Sequence, residues 1–575
     1  MDFLPTTKHE LKRLGWDQLD IILITGDSYI DSPYIGVAII GRYLVKHGYR
    51  VGVIAQPDIS SDKDITRLGQ PRLFWGVSGG SVDSMVANYT AVKKRRKSDD
   101  FTPGDVNNRR PDRAVIVYSN LIRKHFKNTA PIVLGGVEAS LRRIAHFDYW
   151  SDSIRRSILF DAKADGLLYG MAEKATFELA NSIRGGKDWR DLRGLCHISN
   201  ECPEGYIQLP SFDDVQSSKS KFTEMFHAFY RNNDPITAKG LCQLTDTRYL
   251  VQNPPAEHLT QDELDEIYEM DFARDLHPFY RKDGKVKALE TIRFSLTSHR
   301  GCYGECGFCS IAVHQGQTVT WRSENSIARE AEKFKNHPEF KGIISDVGGP
   351  TANMYGFECR KKLKQGCCDD NRCLFPALCP VMKPDHSSQM KLLQRLSEIR
   401  GVKRVFVASG IRYDLVLEDK KFGRKYLDRL VSQHTSGQLK VAPEHTEDKI
   451  LRLMGKPDKK SLLRFNRMFG ESSKNTGKKQ YLTYYLIAAH PGCTDDDMKR
   501  LKKFTSEKLK INPEQVQVFT PLPSTYSALM YYTERDPFTG KRIFVEKDLR
   551  AKARQKDIVT RKTPTGKRTR KKRVE

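Results

Sequence analysis

The chain has 575 residues, of which 38% are hydrophobic and 29% charged, and its formal net charge is +26. This length predicts two to four domains of ~150 residues each, and the composition is typical of a globular protein. Because no apolar run approaches the ~20 residues that cross a bilayer, a membrane-embedded protein is excluded and no membrane partner is expected.

The N-terminus and the cysteines bear on the cell compartment. Residues 1–5 lack a basic segment followed by an apolar core, so no secretory signal is predicted and a cytoplasmic location is expected. Most of the cysteines fall between residues 302 and 379. Clustered thiols in such a chain are typical of metal ligands in a reducing compartment, not of a dispersed disulfide framework.

Residues 1–180 alternate short apolar runs with helical patterns, which predicts a doubly wound parallel sheet domain. A helix is predicted at 37–46, ended by Gly48 just beyond its C-cap. The loops after the strands, where ligands bind in open α/β sheets, contain Gly26 and the pairs Gly79–Gly80 and Gly135–Gly136. Strands are predicted at 19–25, 49–55, 73–77, 115–118 and 131–134.

Residues 181–287 are predicted to form a polar, helix-prone connector. It contains Pro254 and Pro255, which break regular structure. A helix rich in Asp and Glu is expected at 261–273, packed beside the following domain with a solvated face. The three cysteines of this stretch are interpreted as ordinary thiols: Cys196, Cys202 and Cys242.

Three cysteines, Cys302, Cys306 and Cys309, follow a strand predicted at 289–296 and share a loop with three glycines. Thiolates are the natural ligands of iron–sulfur clusters, and glycines let a short backbone curl around a compact cage. A cubane cluster has four irons, but the loop offers three sulfurs. One iron is then open to an external ligand, which favours an enzyme over an electron carrier. The alternative is a zinc ion with His299 or His314 as fourth ligand.

From residue 288 to 545 the βα alternation resumes and predicts a partial (β/α)6 barrel with a lateral opening. Its later strands are predicted at 343–347, 405–408, 439–445, 482–487 and 516–519. Candidate site residues lie where these strands end, as catalytic residues of barrels do: Gly348, Gly349, Ser409, Arg412, Glu444 and His445. Glu444 and His445 are predicted to form a proton relay. The alternative is that they cap an element or form ion pairs.

An insertion at 355–380 holds five further cysteines and predicts a second metal site, either an auxiliary iron–sulfur cluster or a structural zinc. Neighbouring residues in an extended chain point apart, so only one of Cys367 and Cys368 is expected to serve as a ligand. The predicted ligands are Cys359, Cys368, Cys373 and Cys379.

The C-x3-C-x2-C spacing, with Phe308 before the last cysteine, resembles the radical S-adenosylmethionine (SAM) superfamily. Residues 76–90, 347–355 and 442–447 resemble its YgiQ family. The resemblance implies a 4Fe–4S cluster that cleaves SAM to a 5′-deoxyadenosyl radical, which abstracts hydrogen from an unknown substrate, with a flavodoxin or ferredoxin as electron donor. It also implies that Phe308 packs near the nucleoside, that Gly348 and Gly349 bind the SAM amino group, and that Ser409 and Arg412 contact SAM.

The order of Pro33, Gly36, Gly41 and Gly48 resembles cobalamin-binding domains that precede some radical SAM enzymes. The D-x-H-x-x-G signature that supplies a histidine to cobalt is absent, so cobalamin is disfavoured but left open.

Residues 546–575 are predicted to be a basic, disordered tail, and RNA is one candidate substrate that such a tail would bind. A small molecule, suggested by the glycine-rich N-terminal loops, is the other. The competing hypothesis from a different class is a zinc-stabilised nucleic-acid-binding protein without catalysis.

Overall fold

The structure is a computed structural model that describes residues 3–368 and 372–561. Its N-terminal half is organised around one large sheet. The strands of this half are β1 (Ile21–Thr25), β2 (Ile30–Asp31), β3 (Val51–Ala55), β4 (Phe74–Ser78), β5 (Ile132–Gly135), β6 (His146–Asp148), β7 (Ser153–Arg155), β8 (Gly166–Leu168), β9 (Leu195–Ser199), β10 (Ile207–Gln208), β11 (Leu241–Thr245), β12 (Arg248–Gln252) and β13 (Asp275–Leu276).

The helices of this half pack on both faces of the sheet or connect its strands. They are α1 (Lys8–Arg13), α2 (Gly36–Lys46), α3 (Ser84–Asn88), α4 (Ala114–His125), α5 (Gly136–Leu141), α6 (Ile158–Ala162), α7 (Glu173–Arg184), α8 (Phe212–Ser217), α9 (Lys219–Arg231), α10 (Gln261–Glu269) and α11 (Pro278–Arg281), with a 3-10 turn at Pro103–Asp105.

The large sheet has nine strands in the order β10-β11-β12-β9-β8-β5-β4-β1-β3. The run from β3 to β8 is parallel, whereas β8, β9, β12 and β11 pair antiparallel. Every residue of β1 and β3 is buried, because helices cover both faces of a parallel sheet. The predicted doubly wound domain is confirmed.

The second half is a βα array. Its strands are β14 (Ser295–Thr297), β15 (His299–Arg300), β16 (Thr320–Trp321), β17 (Ile343–Ile344), β18 (Asp346–Gly348), β19 (Arg404–Val405), β20 (Gln438–Glu444), β21 (Tyr481–Ala488) and β22 (Gln517–Val518). Its helices are α12 (Leu289–Ile292), α13 (Ile311–His314), α14 (Glu324–Phe334), α15 (Arg360–Gln365), α16 (Ser387–Glu398), α17 (Tyr413–Glu418), α18 (Gly423–Arg429), α19 (Asp448–Met454), α20 (Lys459–Asn475), α21 (Asp495–Glu507), α22 (Tyr526–Thr533) and α23 (Leu549–Thr560), with a π turn at Leu430–His434.

The array forms the predicted partial barrel. β14 pairs with β18, β17 with β19, and β20 with β21 and then β22, all in parallel. A parallel bridge between Ile411 and Val441 joins the chain after β19 to β20. Across the described residues no strand pairing links β22 back to β14, so the barrel has six strand positions and an open side. No helix in the described ranges is long and apolar enough to span a bilayer.

Two predicted strands are wrong. The apolar run at 115–118 lies inside α4, where the buried residues Ala114, Val115, Tyr118 and Ile122 follow helical spacing. The run at 289–296 begins with the short helix α12 and only ends as β14. A short apolar run does not by itself distinguish a strand from one buried face of a helix.

The stretch at 181–287 is not the helical connector that its polarity predicts. It supplies β9, β10, β11 and β12 to the large sheet. The hairpin of β11 and β12 turns at Asp246, which has a φ of +54°. Within the same stretch Cys202 and Cys242 form a disulfide, so they are not free thiols.

The predicted start of the disordered tail, at residue 546, is too early. Helix α23 occupies Leu549–Thr560, and its Lys552 is fully buried. The Nζ atom of Lys552 lies 3.2 Å from the Tyr149 hydroxyl and 3.0 Å from the Tyr531 hydroxyl. Helix α23 is therefore part of the fold and contacts both halves of the chain. The basic run at 562–575 lies outside the described residues.

Lys552 predicts a pH-dependent stability. Burial, reinforced by Lys93, lowers its pKa from 10.5 to about 7. The folded protein therefore gives up this proton more readily than the unfolded chain, so stability rises with pH between about 7 and 10. A Lys552→Met variant is expected to be more stable than the unmodified protein at pH 6, with the advantage shrinking toward pH 10. Thermal midpoints measured across this pH range test it; a constant difference would contradict it.

Candidate active site

The cysteine loop, residues 301–310, connects β15 to α13. It turns at Gly301, where φ is +78° and an added Cβ would lie 2.0 Å from the Thr318 carbonyl oxygen. Glu305 also has a positive φ, of +44°. Glycine is the residue that tolerates such close backbone approach, so the local sequence dictates this tight loop.

The three thiols converge. A Cβ added at Gly304 would lie 3.2 Å from the Cys302 Sγ and 3.7 Å from the Cys306 Sγ. Burial, together with the nearby Cys306 and Cys302, raises the pKa of Cys309 to about 12. Burial likewise raises the pKa of Cys302 to about 11. These two free thiols are thus protonated at neutral pH, and metal loading would release their protons. Three clustered thiols around a glycine cradle fit an iron–sulfur cluster.

Arg412 lies beside these thiols. Its Nη1 donates toward the Cys306 Sγ at 3.6 Å, and its Nε donates to Asp414 at 3.0 Å. Asp414 raises the pKa of Arg412 against the effect of burial, so the guanidinium stays charged. The backbone N–H of Arg412 donates to the Asn353 side chain at 2.7 Å. A fixed positive charge therefore adjoins the cysteine loop.

Gly348 and Gly349 end β18 next to β14, where Thr297 pairs with Gly348. Neither glycine has a positive φ, so the pair is not required for a left-handed turn. A Cβ at Gly349 would instead lie 2.6 Å from the His299 Nε2. The absent side chain is what lets this strand end approach the neighbouring strand.

Ser409 is held by an acidic residue that sequence reasoning missed. Asp346 accepts hydrogen bonds from the Ala408 and Ser409 amides at 2.7 and 3.1 Å, and also from the Ser409 hydroxyl. It is an acidic residue inside an otherwise apolar strand, which was the available signal. The bond fixes the loop after β19 next to the glycine pair.

Glu444 and His445 have different partners in the structure, and the relay between them stays a prediction. Glu444 lies 3.7 Å from Lys456, and burial raises its pKa. His445 accepts from the Glu447 amide through Nδ1 at 3.0 Å and lies 3.6 Å from the Cys493 Sγ. Burial lowers the pKa of His445 to about 3, so the imidazole is neutral near pH 7.

Phe308, the remaining candidate, belongs to the cysteine loop itself. Phe308 packs edge-on against His490 at 6.4 Å, and the His490 Nε2 lies 2.7 Å from the Ser527 hydroxyl. Each of the two histidines considered as zinc ligands has a partner at Nδ1, whereas the Nε2 of His299 is buried without a hydrogen-bond partner. The Nδ1 of His299 lies 2.9 Å from the Ser298 hydroxyl, and the Nδ1 of His314 lies 3.1 Å from the Ser140 hydroxyl.

A chamber of about 470 Å³ lies beside this site, between the two halves of the chain. On one side it is lined by the ends of the N-terminal strands, including Asp27, Gly80 and Gly136. On the other it is lined by Gly349 and Ser409. An apolar bay of about 130 Å³ adjoins it over the large sheet. This volume is that of a pocket for one small ligand.

Buried ion pairs surround the chamber. The Arg300 Nη2 lies 2.7 Å from the Glu173 Oε1, and this pair joins the cysteine loop to α7. Arg110 lies 2.9 Å from Asp27 and 3.0 Å from Asp99, and it also donates to the Gly79 carbonyl oxygen at 2.7 Å. The N-terminal loops that ligands occupy in other α/β sheets are therefore partly filled by this chain's own side chains.

The predicted second set of ligands is only partly assembled. Cys359, Cys373 and Cys379 share one apolar cluster, which also contacts Cys302. Cys368 instead lines a separate cavity. Cys367 donates to Asp234 at 3.1 Å. Among residues 3–368 and 372–561, the cysteine loop included, no three His, Cys, Asp or Glu side chains come together closely enough to hold a single metal ion, so a multi-iron cluster fits the loop better than one ion.

The sequence matches two families along its length. Residues 3–295 match the Radical SAM N-terminal family, and residues 296–505 match the Radical SAM superfamily. UPF0313 protein FN0734 of Fusobacterium nucleatum is 58% identical over 98% of this chain and 99% of its own length. A UPF0313 protein of Thermotoga maritima is 48% identical over 97% of this chain and 98% of its own length.

Two solved structures share the fold. The radical SAM methyltransferase TsrM of Kitasatospora setae, with cobalamin and a [4Fe-4S] cluster bound, covers 94% of this chain and 85% of its own, with TM-score 0.51 and 15% identity. The cobalamin-dependent SAM radical enzyme OxsB, with aqua-cobalamin bound, covers 92% of this chain and 57% of its own, with TM-score 0.50 and 12% identity. The resemblance read from the sequence is confirmed: the chain belongs to the radical SAM superfamily, in the UPF0313 (YgiQ) family.

Proposed function

We propose that this radical SAM enzyme holds a 4Fe–4S cluster on Cys302, Cys306 and Cys309 and cleaves SAM reductively to act on a small molecule. The convergence of Cys302 and Cys306 on the Gly304 position, beside Arg412, carries the proposal. When bound, the cluster and SAM supply a 5′-deoxyadenosyl radical that abstracts hydrogen. Zinc-stabilised nucleic-acid binding without catalysis is not favoured, since among the described residues no three His, Cys, Asp or Glu side chains come close enough to hold a single ion.

The chain's own residues orient this chemistry. Gly348 and Gly349 keep side chains out of the chamber wall, which leaves backbone groups to receive the amino group of SAM. Asp346 fixes Ser409 at the same wall. Arg412, held by Asp414, supplies positive charge next to Cys306 and so stabilises an anionic cluster.

A small molecule is the favoured substrate class. The chamber lies between the two halves of the chain, so the N-terminal domain covers the site where hydrogen abstraction would occur. A folded RNA does not fit a space of about 470 Å³. Salt-dependent RNA binding that is lost when residues 562–575 are removed would argue for the RNA alternative. The truncated variant must end after α23, because that helix belongs to the fold.

A corrinoid is the second candidate ligand. The expectation that cobalamin is disfavoured loses support, because TsrM and OxsB are structural neighbours of this chain and both bind cobalamin. A corrinoid on the N-terminal loops would have to coexist with the Arg110, Asp27 and Asp99 network. Absorbance-monitored titration with hydroxocobalamin tests this directly.

The deciding experiment is anaerobic reconstitution followed by reduction with dithionite in the presence of SAM. We expect brown protein with about four irons and four sulfides per chain, and formation of 5′-deoxyadenosine. Iron well above four would support an auxiliary cluster on the cysteine-rich insertion. Colourless protein carrying zinc alone would overturn the proposal.

A further inference from the structure

A second cavity, separate from the chamber, lies against the cysteine loop. Its volume is about 490 Å³. Its walls come from the end of α9, the cysteine-rich insertion, α19, α22 and the turn after α22. The aromatic and arginine side chains of these walls include Tyr230, Arg231, Arg372, Arg452, Tyr526 and Phe538.

The wall between this cavity and the proposed cluster is thin. Glu305, the residue before Cys306, itself lines the cavity. A Cβ added at Gly455 would lie 2.9 Å from the Arg372 Nη1 and 3.9 Å from the Cys306 Cα. The Gly307 N–H donates to the Met454 carbonyl oxygen of α19 at 2.9 Å. A single layer of residues thus separates the cavity from a cluster ligand.

The cavity contains a stack of aromatic rings and a cation. The Tyr526 ring lies 4.5 Å from Tyr230 and 4.9 Å from Phe538. The Arg372 guanidinium lies 5.0 Å from the ring centres of both Tyr526 and Phe538. Its Nη2 is buried with no hydrogen-bond partner. A polarisable surface with a spare cationic donor therefore reaches from the rim toward Cys306.

The rim is positively charged and partly apolar. Phe538 is 63% exposed, although it is a large apolar side chain. The Arg452 side chain is 64% exposed and lies 3.9 Å from the Asp536 carboxylate, and Arg231 is also exposed. The acidic residues are engaged within the fold: Glu305 pairs with Lys362 at 3.4 Å, and Asp536 accepts from the Phe538 amide at 2.9 Å. Exposed aromatic and arginine side chains are the types enriched where proteins bind partners.

We propose that this rim and cavity are the docking surface for an acidic one-electron carrier protein that reduces the cluster. The inference rests on the proposed function, because SAM cleavage needs one electron delivered to the cluster. In that step the carrier loses one electron, the cluster gains it, and no bond forms. The arginines steer an acidic partner, and the aromatic stack places the carrier's redox group next to Cys306.

The test uses the full-length, reconstituted enzyme with both charges reversed, as Arg231→Glu with Arg452→Glu. Flavodoxin, reduced photochemically, serves as the acidic carrier. We expect cluster reduction by flavodoxin, followed by anaerobic stopped-flow absorbance, to slow about tenfold or more and to lose most of its salt dependence. Cleavage of SAM driven by dithionite, which needs no docking, is expected to be unchanged.

Two further variants sharpen the result. Arg190→Glu reverses another exposed arginine, with a side chain 57% exposed, and should leave flavodoxin reduction at the unmodified rate. Phe538→Ser removes the exposed ring without changing charge and should slow flavodoxin reduction while retaining its salt dependence. Equal flavodoxin rates in the unmodified, double-reversal and Phe538→Ser proteins overturn the docking surface alone. Absence of dithionite-driven cleavage in the unmodified protein overturns the proposed function and this inference with it.

Discussion

Replacing Cys306 by alanine is expected to abolish formation of 5′-deoxyadenosine from SAM. The substitution removes one of three proposed cluster ligands and the thiol that the Arg412 guanidinium approaches at 3.6 Å. Substitutions around a metal ligand typically cost about 10–100-fold in metal affinity or activity, so loss of the ligand itself should exceed a hundredfold. The readouts are iron per chain and 5′-deoxyadenosine by chromatography, both under anaerobic conditions.

Cys196→Ala provides the matched control. Cys196 is a buried thiol on β9 and is remote in sequence from the loop. This variant should keep its iron and its product yield. If Cys306→Ala still forms 5′-deoxyadenosine at the unmodified rate, the ligand assignment is refuted. If both variants lose iron equally, the effect reflects general instability rather than ligation.

The cysteine loop could be predicted because its chemistry is local. Cys302, Cys306 and Cys309 are close in sequence, and the glycines between them dictate a turn whatever the rest of the chain does. The buried strands β1 and β3 were predictable for a similar reason, since a continuous apolar run between turns indicates a strand covered on both faces.

The predictions that differ from the structure depended on contacts between residues far apart in sequence, or on the periodicity of a short segment. The Asp346–Ser409 bond joins residues 63 apart; the acidic residue in an apolar run is visible in the sequence, but its partner is not. Glu444 and His445 are adjacent in sequence, but they have separate partners, Lys456 for Glu444 and the Glu447 amide for His445, and both partners depend on the fold after the strand. The hairpin β11–β12 turns at Asp246 and Thr247, but its two segments do not alternate apolar and polar residues and the turn lacks a glycine, so the hairpin has no clear signal in the sequence.

Removing the positive partner of the Arg300–Glu173 pair is expected to give the largest loss of stability. The two side chains are 5% and 2% exposed, and Arg300 also donates to the Tyr268 hydroxyl at 3.0 Å. Arg300→Met leaves the Glu173 carboxylate buried without its cation, which costs about 3–5 kcal/mol. For the N-terminal domain, residues 3–295, the thermal midpoint should fall by roughly 5–8 degrees. Replacing both, as Arg300→Met with Glu173→Leu, removes the unpaired charge and should recover most of the loss.

Thermal unfolding of the unmodified protein and the two variants, followed by circular dichroism, measures this. A double variant no more stable than Arg300→Met would contradict the ion pair as the junction between the N-terminal domain and the cysteine loop.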